Sequence, residues 1–192
     1  NGARSRGAVV VVAAGNDAVN VSNASPANCS GVIAVAATGR TGGRASYSNF
    51  GTLVDVAAPG GDGASGVLST LNSGTGAPAA DSYAAYQGTS MATPHVAGVA
   101  ALMLAVNTNL TPDEIESKLK STARAFPASC SGCGTGIVDA AAAVASATGG
   151  GGGTPVTTLA ESESNNTTGT ADAVAASNTT VTGNLGSTTD TD

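Results

Sequence analysis

Three stretches of the chain are apolar without alternation: residues 7–15, 31–38 and 53–60. A strand buried on both faces carries such a run, which is the habit of a central parallel strand. Gly15 ends the first, and Pro59-Gly60 ends the third. Residues 91–106 are apolar on almost all sides, which predicts a helix buried in the domain centre. Thr111-Pro112-Asp113-Glu114 predicts the start of a second helix. Thr stands at the N-cap, Pro at the first helical position, and Glu three residues after the cap completes a capping box. Behind it Ile115, Leu119 and Thr122 recur at helical spacing, and Glu116, Lys118 and Lys120 are expected to face water. Residues 139–146 predict a third, Ala-rich helix. Strands followed by helices imply an α/β domain with a parallel sheet.

The pattern stops at Gly149-Gly150-Gly151-Gly152-Gly153. Five glycines in a row lose too much backbone freedom to hold regular structure, so residues 149–155 are expected to form a linker. Residues 1–148 lie before it as one globular domain. Residues 156–192 are rich in Thr, Asn and Ser, and are too few for an independent domain without staples. They are expected to open a second, truncated module.

Composition narrows the classes. Hydrophobic residues make up 41% of the 192, enough for a core, while charged residues are only 10%. Seven Lys+Arg against 13 Asp+Glu give a net charge of -6, and no basic cluster exceeds Arg4-Ser5-Arg6. A nucleic-acid binder that relies on phosphate contacts is therefore not expected. The unbroken apolar run from Ala8 to Ala14 is too short to span a bilayer, and no membrane span is expected. The chain begins with Asn, so it is expected to start in mid-sequence.

The cysteines are Cys29, Cys130 and Cys133. A zinc site would need a second ligand pair beside Cys130-Ser131-Gly132-Cys133, and only His95 and Cys29 remain. A thioredoxin-like role needs a βαβ context that this Gly-rich loop lacks. A short-loop disulfide, Cys130 to Cys133, is the expected reading, with Cys29 paired to a cysteine upstream. Scarce Lys and abundant Ser, Thr and Asn fit an oxidising, extracellular setting.

Two residues stand out for chemistry. Ser90 falls at the start of the predicted buried helix, where unpaired N–H groups carry partial positive charge. A serine oxygen there can attack a carbonyl, and the serine's own N–H can stabilise the oxyanion. The plainer reading is an N-cap. Asn16 falls just past the first strand, and ligands in α/β sheets bind at the carboxyl ends of strands. Its NH₂ offers two donors, although Asn after Gly is otherwise a turn residue. His95 is the single histidine, five residues beyond Ser90. Five residues turn a helix by about 140° relative to Ser90, so His95 is expected to be a packed helix residue and not the base. Asp17, Asp55 and Asp62 read as turn or strand-end residues; Asp55 interrupts an apolar run and needs a partner.

The string Gly88-Thr89-Ser90-Met91-Ala92-Thr93-Pro94-His95-Val96-Ala97-Gly98 closely resembles G-T-S-M-A-x-P-H-V-A-G, the nucleophile motif of subtilisin-like serine proteases. Ala13-Ala14-Gly15-Asn16 resembles that family's oxyanion-hole motif. Ala45-Ser46-Tyr47-Ser48-Asn49-Phe50-Gly51, Val54-Asp55-Val56-Ala57-Ala58-Pro59-Gly60 and Gly134-Thr135-Gly136-Ile137-Val138-Asp139-Ala140 resemble further family segments. Together they cover residues 7 to about 147, the C-terminal half of a subtilisin-like catalytic domain. Glu161-Ser162-Glu163-Ser164-Asn165-Asn166 is similar to the start of bacterial pre-peptidase C-terminal modules, which are small β-sandwiches.

The resemblance implies a secreted serine endopeptidase, monomeric, acting on protein or peptide substrates. Ser90 would be the nucleophile and Asn16 an oxyanion donor. Ala13, Ala14 and Gly15 would line the pocket for the substrate side chain before the cut. Chain order in the family, Asp then His then Ser, puts the orienting carboxylate and the base upstream of Asn1. The alternative is an inactive subtilisin fold kept for binding or scaffolding. No catalytic cofactor or catalytic metal is implied. Structural calcium is common in the family, but no D-x-[DN]-x-[DN]-G loop occurs here, and no ligands are assigned.

Overall fold

The structure, a computed structural model, describes residues 2–148 and the strands Thr157–Ala160 and Thr179–Thr182. The chain divides into two units, Asn1–Gly149 and Gly150–Asp192.

In the first unit a parallel three-stranded sheet runs in the order β1 (Val11–Ala13), β2 (Ile33–Thr38), β3 (Val56–Pro59). Val11 pairs with Ile33, and Val35 with Val56. All six residues of β2 are buried, as its unbroken apolar run predicts. Its odd and even positions enter two different cores. Ile33, Val35 and Ala37 pack with Val56, Ala58 and the helices, while Ala34 and Ala36 pack with Ala14, Val21, Val54 and Cys133 on the opposite face. The 7–15 run is shorter as a strand than its apolar length suggests. β1 has three residues, all half-buried, and lies at an edge of the described sheet, so the central strand is β2.

Three helices cover one face: α1 (Thr89–Val106), α2 (Pro112–Ser121) and α3 (Ala140–Ala147). The capping box at Thr111 is formed: the Thr111 side chain accepts from the Glu114 N–H, and Glu114 accepts from the Thr111 N–H at 2.8 Å. Asp139 caps α3 by accepting from the Ala142 N–H at 2.9 Å. α1 corrects one expectation. Only its sheet-facing side is buried, through Thr89, Ala92, Val96, Val99, Ala100 and Met103, while Leu102 and Val106 are about half exposed among the described residues. By length and composition alone α1 would also pass for a membrane span, yet it packs on all three strands of the sheet.

Glu116, Lys118 and Lys120 are a second correction, since all three are half-buried and bonded. Lys118 donates to the Ser146 carbonyl, and Glu116 pairs with Arg4. The Lys120 ammonium reaches Asp55 at 2.8 Å, and Asp55 also accepts the Ala34 N–H at 2.8 Å. This is the partner that Asp55 needs inside an apolar run. The hydrogen bond that Lys120 donates to Asp55 holds the Lys120 pKa above the ordinary lysine value, against the opposing effect of burial. The pair's contribution is therefore fully present below the lysine range and is lost as pH rises through it. Asp55→Ala would leave a buried strand N–H without an acceptor, and is expected to cost about 1–3 kcal/mol in urea unfolding. Lys120→Met should cost less than about 1 kcal/mol, since Lys120 is 37% exposed and such pairs are weak. Equal losses in the two variants would refute this division of roles.

An antiparallel hairpin, β4 (Val67–Asn72) with β5 (Asp81–Tyr86), stands between the sheet and α1 in the chain. In the second unit β6 (Thr157–Ala160) pairs in parallel with β7 (Thr179–Thr182). The expected linker at 149–155 lies outside the described residues, as does most of the expected module at 156–192.

Candidate functional site

Parallel strands put their carboxyl ends on one edge of the sheet, and two chain segments meet at that edge. After β1 the chain continues as Ala14, Gly15 and Asn16. After β3 it continues as Gly60, whose carbonyl accepts the Gly88 N–H at 3.0 Å. That bond ties the start of α1 to the sheet. Gly60 is glycine because of a close approach: a Cβ there would lie 2.5 Å from the Ala37 Cβ and 2.8 Å from the Gly88 carbonyl. The Tyr47 hydroxyl lies 2.9 and 2.7 Å from the Gly60 and Gly61 carbonyls and donates to either. Burial pushes its pKa up, so it stays a donor.

Ser90 is the second residue of α1 and is exposed. The N-cap is Gly88, with no side-chain capping bond. Neither the Ser90 N–H nor its Oγ has a hydrogen-bond partner among the described residues. Asn16 comes to the same place from the other segment. Its Oδ1 accepts the Thr89 N–H at 2.9 Å and the Thr89 hydroxyl at 2.8 Å. A backbone N–H needs an acceptor, so this contact fixes which end of the amide faces Thr89. The Asn16 Nδ2 is left turned away from Thr89 and without a partner among the described residues. A Cβ on Gly88 would lie 3.7 Å from the Ser90 N and 3.8 Å from the Asn16 Nδ2. The two free donors, with the Met91 Sδ at 3.6 Å, thus surround the small space beside Gly88 that a side chain there would occupy. Donors arranged around a space beside a free hydroxyl suit an oxygen that gains negative charge.

An open depression of about 370 Å³ adjoins this space, lined by Val67, Leu68, Ser69, Ser90, Met91, Pro94 and His95. The hairpin strand β4 therefore forms one wall of the site. His95 is exposed, which corrects the expectation of a packed residue; its Nδ1 lies 2.8 Å from the Met91 carbonyl. Ala13 and Gly15 are half-buried, while Ala14 is fully buried in the core that includes Val21 and Ala57. Asp17 is exposed beside Asn16, and Asp62 accepts from Ser46 by both backbone and side chain, which holds its carboxyl below the usual range. Cys130 and Cys133 form a disulfide, and Cys29 is exposed and free.

Calcium finds no carboxylate cage among the described residues. No group of three or more His, Cys, Asp or Glu side chains is assembled there, and Asp55 is committed to Lys120 and Ala34.

One participant was not visible in the sequence. Asn49 is fully buried, and its carboxamide holds the segment that carries Asn16. The one available signal was its place within the family-like segment 45–51.

Residues 1–170 match the Subtilase family. The chain is 65% identical over 142 residues to an extracellular protease of Xanthomonas campestris pv. campestris, covering 73% of this chain and 24% of that protein. It is 43% identical over 139 residues to an extracellular basic protease of Dichelobacter nodosus, covering 70% and 22%. A solved protease structure from Pseudoalteromonas arctica is 63% identical, with a TM-score of 0.74 over 76% of this chain and 44% of that one. The chain thus spans less than half the length of each.

Proposed function

Because the chain belongs to the Subtilase family, we propose that it is the nucleophile-bearing part of a secreted serine endopeptidase of subtilisin type. The observation that carries this reading is the pair of unpartnered donors, Ser90 N–H and Asn16 NH₂, flanking the space left by Gly88 beside a free Ser90 hydroxyl. Ser90 Oγ attacks the carbonyl carbon of a peptide bond. The carbonyl oxygen becomes negative and is held by both donors, which are in place before charge develops. Collapse expels the amine and leaves an ester on Ser90, which water then hydrolyses.

The base that takes the Ser90 proton, and the carboxylate that orients it, are assigned to residues outside these 192. His95 is not assigned as that base, because five residues along α1 turn it about 140° away from Ser90, and no hydrogen bond joins the two side chains among the described residues. Ala13 and Gly15 are assigned to the wall that receives the substrate side chain, together with the backbone of Ala14. The extracellular names of the two relatives support secretion. For residues 156–192 the opening of a pre-peptidase C-terminal module rests on the Glu161-Ser162-Glu163-Ser164-Asn165-Asn166 string. Mass spectrometry of the mature secreted protein tests whether that segment is retained.

An arylsulfonyl fluoride tests the central reading. The full-length protein should lose peptidase activity as one adduct forms, and peptide mapping should place that adduct on Ser90. The 192 residues alone should hydrolyse casein at no measurable rate, since they lack the base. An adduct elsewhere, or robust hydrolysis by the 192 residues, would overturn the assignment. A folded full-length protein that takes no adduct would favour a binding role.

A further inference from the structure

We infer that Asn49 is a positioning residue for Asn16, setting the backbone from which the oxyanion donor projects. This rests on the function proposed for Ser90 and Asn16. Four hydrogen bonds from one buried residue straddle Asn16 without touching it. On the near side, Asn49 Nδ2 donates to the Ala14 carbonyl at 2.9 Å, and the Asn49 N–H donates to the Gly15 carbonyl at 2.9 Å. On the far side, Asn49 Oδ1 accepts the Asp17 and Val19 N–H groups at 3.0 and 3.1 Å.

The segment needs such a clamp because Ala18 has φ +53°, and an alanine seldom adopts the left-handed region. Gly15, at φ +106°, is a glycine and takes that conformation without strain. Asn49 Oδ1 holds the N–H on either side of Ala18, so the conformation is imposed by the surroundings. The packing is close: a Cβ on Gly15 would lie 2.3 Å from Asn49 Nδ2. The clamp is itself anchored to the sheet centre. The buried Ser48 hydroxyl accepts the β2 N–H of Ala37 at 3.0 Å and donates to the Asn49 carbonyl at 3.0 Å. Thr89 fixes the amide end of Asn16 and Asn49 fixes its backbone end, so the Nδ2 position is determined from both sides.

A double-mutant cycle in the full-length protein tests this, with kcat expressed per site titrated by the sulfonyl fluoride. Asn49→Ala alone should lower kcat about tenfold, the effect of a donor displaced by a fraction of an ångström. In an Asn16→Ala background the same change should lower kcat less than about twofold, since no donor is left to misplace. If Asn49→Ala yields no titratable sites, Asn49→Ser is put through the same cycle under the same criteria. An equal loss in both backgrounds overturns the inference. So does a lowered Tm with kcat per titrated site unchanged. If Asn16→Ala by itself leaves kcat intact, the oxyanion assignment fails instead, which the single variant reports separately.

Discussion

Replacing Ser90 by alanine in the full-length protein is expected to lower kcat by about a million-fold, the size established for the corresponding loss in subtilisin. The size follows from what is removed: without the hydroxyl no ester can form, and only donors and substrate binding remain. KM should move little, because the bond from Ser90 Oγ to the substrate forms on the way to the transition state and not in the bound ground state. Stability should also hold. Ser90 is exposed and caps nothing, and such surface changes usually stay within about 0.5 kcal/mol. Steady-state kinetics beside thermal unfolding check both points. A variant that keeps more than about a thousandth of the activity would show that another group is the nucleophile.

The second large effect belongs to Asn16. Asn16→Ala should lower kcat by about 10²–10³ with KM nearly unchanged, the range for losing one oxyanion donor, which was itself measured in subtilisin. Alanine also deprives Thr89 of the acceptor for its N–H and hydroxyl. Asn16→Asp separates the two consequences. A carboxylate still accepts both Thr89 bonds but presents no donor to the oxyanion. The account therefore predicts a kcat loss at least as large in Asn16→Asp as in Asn16→Ala, with stability closer to the parent. If Asn16→Asp retained kcat, Asn16 would matter only through its contact with Thr89.

Much of this arrangement was legible in the chain. The β2 run had to be buried on both faces, and its alternate residues enter two cores. The Thr111 capping box was readable because every one of its bonds is local. What escaped depends on distance or on dilution. The β4–β5 hairpin mixes Ser, Thr and Ala with its larger residues, and Leu68 and Tyr83 are exposed, so no alternating stripe marks it. Lys120 looked solvated because its partner Asp55 lies 65 positions earlier. The apolar surround of α1 suggested full burial, yet only the sheet-facing side is covered among the described residues. At the site, Ser90 and Asn16 stood out through their motifs and their place beside a helix start and a strand end. The roles of Thr89 and Asn49 did not, because each depends on a side chain reaching a segment distant in sequence.

The most direct test is a crystal structure of the full-length protein with a peptide boronic acid, whose tetrahedral boron mimics the attacked carbonyl carbon. The account predicts boron bonded to Ser90 Oγ, with one boronate oxygen within about 2.7–3.1 Å of both the Ser90 N and the Asn16 Nδ2. Boron on another residue, or a boronate oxygen turned away from Asn16, would contradict it.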